Sequence, residues 1–283
     1  MQTITDITQQ LDQHLHGLIG PRDPYLNSGR HHLAQQYIRT ELSQWGQLTC
    51  QSFFCSGHEH FNWQVVIPGK QPTLAPILIG AHYDTVIDSP GADDNASGVA
   101  VLLVLAEILF KNPPRRPIHL IAFDLEEYGL IGSLTCAQTW HDQQRPLHLM
   151  LSLEMLGYYS SVPHSQTYPV KLLSRVYPNT GDFVALIGDI RAIPHMMRMK
   201  RCLRRADAPC EWLPVIHQGR QLPDTRRSDH APFWDRGYRA ILVTDTANLR
   251  NPHYHSPSDK LETLDINAMA KATQGLATSL REM

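Results

Sequence analysis

The chain has 283 residues, of which 42% are hydrophobic and 18% charged, a composition typical of a globular protein with a sizeable buried core. Its net charge of -2 at pH 7 gives no reason to expect nucleic acid or an anionic membrane as a partner. The five cysteines form no CxxC pair, which argues against a disulfide framework and against a thiolate zinc site, although Cys50 and Cys55 could still pair. No apolar run reaches about 18 residues and the polar segment 1–13 lacks a signal-peptide core, so we expect a cytoplasmic protein without a membrane span.

The predicted elements alternate between helices and continuous apolar strands. In chain order we expect helices over 5–18 and 30–45, strands over 48–54, 61–67 and 76–81, a helix over 97–110, a strand over 118–123, a helix from 130, strands over 147–155 and 183–187, a basic helix, a strand over 212–216, a short helix over 231–234, a strand over 240–244 and a helix from 266. This order predicts an α/β three-layer sandwich whose mixed, largely parallel central sheet is covered by helices on both faces. Because we find no internal repeat or linker, we expect one domain over residues 1–283.

Two adjacent glutamates, Glu126 and Glu127, follow the predicted strand 118–123. Functional groups of such sheets gather beyond the carboxyl ends of the strands, and two carboxylates there repel each other unless a positive charge lies nearby. A divalent metal meets this need, since one carboxylate can bind it while the other handles a proton. Paired glutamates are also common on exposed helices, so the interpretation needs support from other strand ends.

Three more strand ends carry suitable side chains. His82 follows one strand directly, with Asp84 placed to accept its second ring N–H, although a structural histidine is the alternative. Asp93 and Asp94 enter the helix at 97–110 and could instead cap it. Glu154 ends the strand 147–155, and His255, with His253 as a competing imidazole, follows the last strand. Together these residues offer one aspartate, two glutamates and two histidines, a donor set that suits zinc. Two ions sharing one carboxylate would leave Glu126 free.

Most of the 16 histidines are expected to have no functional role. Six of them lie in polar or exposed-looking stretches with no strand-end carboxylate beside them: His14, His16, His31, His32, His58 and His60.

The order of these motifs resembles that of the zinc aminopeptidase family, which includes bacterial leucyl aminopeptidases, the glutamate carboxypeptidase catalytic domain and the animal glutaminyl cyclases. The motifs are HYDT, GADDNASG, FDLEEYGLIGS, LEMLGY, SDHAPFW and NPHYHSPSD, and the likeness spans about residues 77–262. The resemblance implies that His82 binds one zinc, that Glu127 and His255 bind the other, and that Asp94 bridges both. It also implies a cis peptide bond after Asp94.

Further roles are expected beside these ligands. Glu126, which is next to a ligand but is not itself one, would be the general base, and Tyr254 resembles the phenol that some relatives use to stabilise the oxyanion, or else simply packs beside the site. We interpret Asp229 and His230 as residues that support the ligands or wall the substrate site, and Ser228 as the cap of the following helix. Many relatives have an aspartate at the position of Glu154, whose extra methylene moves the carboxylate outward. We therefore expect one tight zinc and a weaker one on the His82 side.

Three functions are compatible with these residues. The first is a zinc aminopeptidase that hydrolyses the N-terminal bond of peptides and needs a free N-terminus. The second is a glutaminyl cyclase with a single zinc, against which Tyr254 stands where the animal cyclases carry tryptophan. The third, a non-catalytic scaffold, requires lost ligands, and none is missing. A serine triad is disfavoured because there is no G-x-S-x-G elbow.

Side-chain preference is expected to depend on the irregular stretches 158–177 and 218–227. The charge balance does not determine the oligomeric state.

Overall fold

The computed structural model describes residues 2–283, and within them eight strands form one sheet. The strands are β1 Thr49–Cys55, β2 His58–Ile67, β3 Ile77–His82, β4 Ile118–Phe123, β5 Leu149–Glu154, β6 Val184–Asp189, β7 Cys210–Val215 and β8 Ala240–Thr244. Their order across the sheet is β1-β2-β4-β3-β5-β8-β6-β7. The four central strands are parallel, β1 and β2 pair antiparallel at one edge, and β6 runs antiparallel to β8. The predicted mixed sheet is confirmed.

In the same described part of the chain, seven α-helices cover the two faces of this sheet. They are α1 Ile4–Leu18, α2 Ser28–Ser43, α3 Gly98–Lys111, α4 Ile131–Asp142, α5 Ile193–Arg205, α6 His230–Asp235 and α7 Ile266–Glu282. Helices α1, α3, α5 and α7 pack together on one face, while α4 and α6 pack on the other. The three-layer sandwich is therefore confirmed, and predicted helix and strand boundaries differ from the observed ones by a few residues.

Strand β3 shows why the central strands have continuous apolar sequences. Each of its residues is buried, because successive side chains point to opposite faces and both faces are covered. Ile77 and Ile79 belong to the core under α1, α3 and α7, whereas Leu78 belongs to the core under α4 and α6. Helix α3 is apolar almost all round because it lies between the sheet and the outer helices α1 and α7.

Two expectations about composition can be compared with the structure. All five cysteines are free, so Cys50 and Cys55 do not pair. Across residues 2–283, every helix is too short or too polar to cross a lipid bilayer.

The parallel register brings the polar strand ends to one edge of the sheet. His82, the last residue of β3, is aligned with Phe123 at the end of β4, and Glu154 ends β5 next to Thr244 of β8. The loops that follow β4 and β8 begin at the same edge. Residues far apart in the chain therefore meet there.

Candidate metal centre

His82, Asp94 and Glu154 meet where β3, β5 and the turn before α3 come together. Nε2 of His82 lies 3.3 Å from Oδ1 of Asp94 and 3.3 Å from Oε1 of Glu154. All three side chains are buried, and one donor atom from each lies within 4.8 Å of the others. One imidazole and two carboxylates at this spacing form a donor set that can bind zinc.

A second trio shares Asp94 with the first. Nε2 of His255 lies 3.2 Å from Oδ2 of Asp94 and 3.3 Å from Oε2 of Glu127. Asp94 therefore presents Oδ1 to His82 and Oδ2 to His255, so that one carboxylate faces both trios. This arrangement offers a place for one ion on each side of Asp94.

The electrostatics of the two trios fit a divalent cation. Although burial alone would raise the pKa of Asp94, hydrogen bonds with His255 and His82 hold that pKa below its usual range. Burial and the charge of Asp94 raise the pKa of Glu127 to about 7. Within residues 2–283, Oε1 of Glu127 is buried without a hydrogen-bond partner. Because a buried carboxylate oxygen without a donor is unfavourable, a cation between these side chains would stabilise them, and the oxygen and imidazole donors suit zinc.

The turn Ala92–Ser97 holds Asp94 in place. Its Asp94–Asn95 peptide bond is cis, as the sequence resemblance implies. The Asn95 side chain donates to the carbonyl of Leu153 at 2.9 Å and accepts the N–H of Met155 at 3.0 Å. These two bonds attach the turn to the end of β5, which fixes the distance between the carboxylates of the first trio.

Asp84 supports the glutamate loop and lies beside the imidazole. Its Oδ1 is 3.4 Å from Nδ1 of His82, but within residues 2–283 this buried nitrogen makes no hydrogen bond, so the hydrogen bond expected from the sequence is not formed. The same carboxylate accepts the backbone N–H of Glu126 and of Glu127, each at 3.1 Å. Asp84 thus links the end of β3 to the loop after β4.

Glu126 lies beside both trios. It groups with His82 and Glu127 within 4.8 Å, and its side chain lines the adjoining cavity. Burial raises the pKa of Glu126 well above its usual range. A carboxylate with a raised pKa is a stronger base than an exposed one, which suits proton transfer near neutral pH.

The expectation that His31 and His60 have no strand-end carboxylate beside them is wrong. Asp124, the first residue after β4, is fully buried and accepts from Nε2 of His31 at 2.8 Å and from Nδ1 of His60 at 3.1 Å. His14 is buried as well, against Tyr37. The histidine patterns in helix α2 and strand β2 contain no local signal for this contact, because Asp124 is 93 and 64 residues away.

Arg22 is a second residue that sequence reasoning missed. It is 1% exposed, and its guanidinium donates to five backbone carbonyls, those of Leu18, Gly20, Tyr83, Pro90 and Gly91. Two of these carbonyls precede the turn that carries Asp94. Arg22 therefore fastens the segment after α1 to the metal-centre loops.

Three residues around the start of α6 differ in their contacts. Ser228, expected to cap this helix, instead donates to Oε2 of Glu154, so that expectation is wrong. Asp229 is fully buried, and burial raises its pKa to about 7. Nε2 of His230 lies 2.8 Å from the carbonyl oxygen of Thr225, so this imidazole hydrogen-bonds to the wall of the cavity.

A cavity of ≈ 360 Å³ opens beside the two trios. Its walls include Tyr168 and Tyr177 from one irregular stretch and Arg227 from the other, the two stretches that the sequence indicates. Apolar side chains from β6, β7 and β8 also line it, among them Ile187 and Leu213. The cavity therefore combines an acidic edge with an apolar interior.

Tyr254 lies at the rim of this cavity. Its ring stacks on the ring of His255, with centroids 3.8 Å apart and an interplanar angle of 21°. Its hydroxyl oxygen accepts a hydrogen bond from Nη2 of Arg227 at 2.8 Å. Burial raises the pKa of Tyr254 above its usual value, so the phenol is neutral at physiological pH.

Sequence comparison relates the chain to a known protein family and to individual relatives. The family model described as peptidase family M28 matches residues 62–185 and 198–280. The uncharacterised protein YfbL of Escherichia coli K12 is 35% identical over 257 residues, which cover 87% of this chain and 78% of YfbL. The aminopeptidase YwaD of Bacillus subtilis 168 is 49% identical over 207 residues, which cover 72% of this chain but 39% of YwaD.

Structure comparison supports the same fold. LapA of Legionella pneumophila superposes with a TM-score of 0.72 at 20% identity, covering 99% of this chain and 74% of LapA. The glutaminyl cyclase of Bacteroides thetaiotaomicron superposes with a TM-score of 0.70 at 15% identity, covering 99% of this chain and 98% of the cyclase. At such identities the likeness concerns the fold alone.

Proposed function

The chain belongs to peptidase family M28, a family of hydrolases, and on that premise we propose that it is a single-domain zinc aminopeptidase. The observation that carries the proposal is the position of Asp94, whose two carboxylate oxygens face two different trios of ligands. Glu126 lies beside the two trios, and its side chain lines the cavity. The substrate would be a peptide with a free N-terminus.

His82, Asp94 and Glu154 would hold one zinc, and Asp94, Glu127 and His255 would hold the other. When bound, zinc lowers the pKa of a water molecule and polarises a carbonyl oxygen. Glu154 in place of the shorter aspartate of many relatives supports unequal affinities, with the His82 side weaker. One or two ions are compatible with this set of donors.

Glu126 acts as the general base of the proposed reaction. It takes a proton from the attacking water as the new C–O bond forms, and it then gives that proton to the leaving amine as the C–N bond breaks. The Tyr254 hydroxyl donates a hydrogen bond to the oxygen that becomes negative during attack. The apolar interior of the cavity binds the N-terminal side chain, and the carboxylates at its edge attract the substrate ammonium group.

Glutaminyl cyclisation is the second candidate. It is supported by the fold shared with the Bacteroides cyclase and by the expectation of one weak metal site. In that reaction Glu126 would move a proton from the substrate amine during intramolecular attack, without activating water. Tyr254, where the animal cyclases carry tryptophan, favours hydrolysis.

Parallel assays on zinc-titrated protein separate the two functions. Leucyl and alanyl anilides report hydrolysis, and a glutaminyl peptide reports cyclisation. We expect zinc-dependent release of the anilines and no cyclised product; cyclisation with no anilide hydrolysis would reject the aminopeptidase. Glu126→Gln should lower turnover at least ~100-fold while zinc content is unchanged, and the exposed Glu59→Gln is the matched control. Retained turnover in Glu126→Gln would reject the assignment of the base.

A further inference from the structure

Arg227 occupies an unusual position in an otherwise acidic cavity. Within residues 2–283 it is the one lysine or arginine among the cavity-lining residues, which include the carboxylates Asp94, Glu126, Glu127 and Glu154. Its guanidinium makes two side-chain hydrogen bonds: Nη1 donates to Oδ1 of Asn248 at 2.9 Å, and Nη2 donates to the hydroxyl of Tyr254 at 2.8 Å. The segment before α6 is thereby joined at two points to the connection between β8 and α7 at the rim.

The bond to Tyr254 has a fixed direction. A guanidinium group only donates hydrogen bonds, so the Tyr254 oxygen must act as the acceptor. The hydroxyl hydrogen then remains available, and within the described chain no acceptor takes it. Because the phenol lines the cavity, the acceptor that it can reach is a group bound there.

Two contacts set the position of this donor. Stacking on His255 fixes the plane of the Tyr254 ring next to the second trio, and Arg227 fixes the rotation of its hydroxyl. A neighbouring cation also withdraws charge from the phenol oxygen, which strengthens the O–H as a donor. Donors that are oriented before substrate binds stabilise a developing negative charge most effectively.

We propose that Arg227 is a positioning residue that orients the Tyr254 hydroxyl toward the oxyanion, with Asn248 holding the guanidinium in place. This inference rests on the proposed hydrolytic function. Arg227 could instead bind a carboxylate of the substrate directly. That role predicts a rise in KM for substrates with a carboxylate, whereas the positioning role predicts a fall in kcat for all substrates. The remaining N–H groups of Arg227 make that second role chemically feasible, so the experiment must distinguish the two.

A double-mutant cycle on the zinc-loaded enzyme makes the distinction. The variants are Arg227→Met, Tyr254→Phe and the double variant, assayed on leucyl anilide, which has no carboxylate, and on leucylglycine, which has one. We expect Arg227→Met to lower kcat about 10- to 100-fold on both substrates with little change in KM. In the Tyr254→Phe background the same substitution should have an effect of less than about 2-fold. Arg227→Lys should recover part of kcat.

The matched control is Arg220→Met, which removes an exposed arginine of the same loop that pairs with Asp235 and, unlike Arg227, is not among the residues lining the cavity. Its kcat should equal that of the parent protein. A loss that is as large in the Tyr254→Phe background as in the parent would overturn the proposal. A rise in KM confined to leucylglycine would overturn it as well, because Arg227 would then bind the substrate carboxylate directly.

A second measurement is independent of turnover. In protein labelled with ¹³C at tyrosine Cζ, the Tyr254 resonance is identified by its loss in Tyr254→Phe. We expect Arg227→Met to shift this resonance and Arg220→Met to leave it in place; an unshifted resonance in Arg227→Met would refute the contact. A shifted resonance in a protein that hydrolyses no aminoacyl substrate would reject the proposed function while retaining the Arg227–Tyr254 coupling.

Discussion

Ser228 donates a hydrogen bond from its Oγ to Oε2 of Glu154 at 2.7 Å. This bond occupies one oxygen of the carboxylate and leaves Oε1 facing His82, 3.3 Å from Nε2. Ser152 stands behind Ser228, with their hydroxyl oxygens 2.9 Å apart. The longer side chain of Glu154 is thus restrained by a serine from a different loop, which bears directly on the metal site of the His82 side.

Removal of this restraint should weaken one metal site selectively. In Ser228→Ala, Glu154 loses the bond that orients it, and we expect zinc affinity on the His82 side to fall about 10-fold, as for other residues that orient metal ligands. The site of Asp94, Glu127 and His255 should be unchanged. Chelator competition on dialysed protein measures both affinities, with the exposed Ser174→Ala as control. Two equally retained zincs in the parent protein would contradict the expected inequality, and equal weakening of both in Ser228→Ala would contradict the role of Ser228.

Arg22 should be essential for stability although it lies outside the proposed ligand set. Arg22→Met removes the donor from five backbone carbonyls, three of which are in buried hydrogen bonds, and we expect the free energy of unfolding to fall by about 3–5 kcal/mol. Arg22→Lys should recover part of that loss. Arg30→Met is the comparison, since the half-buried Arg30 donates to one carbonyl, that of Ile19, and should cost about 1 kcal/mol. Urea unfolding measures these free energies. Similar losses in Arg22→Met and Arg30→Met would refute the special stabilising role of Arg22.

Adjacent histidines on α2 should behave differently. His31→Ala removes a donor to the buried Asp124 and the ring that stacks on Tyr83, so we expect a loss of about 2–3 kcal/mol of unfolding free energy. His32 is exposed and contacts Gln36, so His32→Ala should change that free energy by less than about 0.5 kcal/mol. Thermal and urea unfolding of both variants tests the difference. Equal stabilities would show that Asp124 does not depend on His31.

His14 should make stability depend on pH. Burial lowers its pKa from 6.5 to about 4, so between these values the unfolded chain binds a proton that the folded protein does not. The contribution of neutral His14 to the free energy of unfolding is therefore complete above pH 6.5 and is lost as the pH falls toward 4. His14→Gln keeps a polar partner for Tyr37 without a titrating ring, and between pH 7 and pH 5 its unfolding free energy should fall by about 2 kcal/mol less than that of the parent. Urea unfolding at the two pH values tests this. If the unfolding free energies of the parent and of His14→Gln fall by the same amount, this role of His14 is excluded.

Local patterns predicted the sheet and its seven described α-helices, because burial on two faces leaves continuous apolar strands between the helical segments. The same patterns failed for Ser228, which precedes a helix as a cap would but bonds to Glu154, 74 residues earlier. They also failed for His31, whose polar neighbours suggest exposure although Asp124 and Tyr83 cover it. A short-range pattern reports the spacing of a side chain along its own element and does not report which distant segment packs against it.

The sequence by itself determined the fold class and the chemistry available at the strand ends, because strand periodicity and the carboxylate and imidazole side chains are local properties. It also singled out Glu126 as the acid beside the proposed ligands. The resemblance implied that Asp94 bridges two ions, but only the tertiary structure decided which of its oxygens faces which trio and that Ser228 restrains Glu154. The tertiary structure alone revealed that Arg227 donates a hydrogen bond to the hydroxyl of Tyr254. These relationships depend on the orientation of single polar atoms, which is set by loops that meet only after the sheet has assembled.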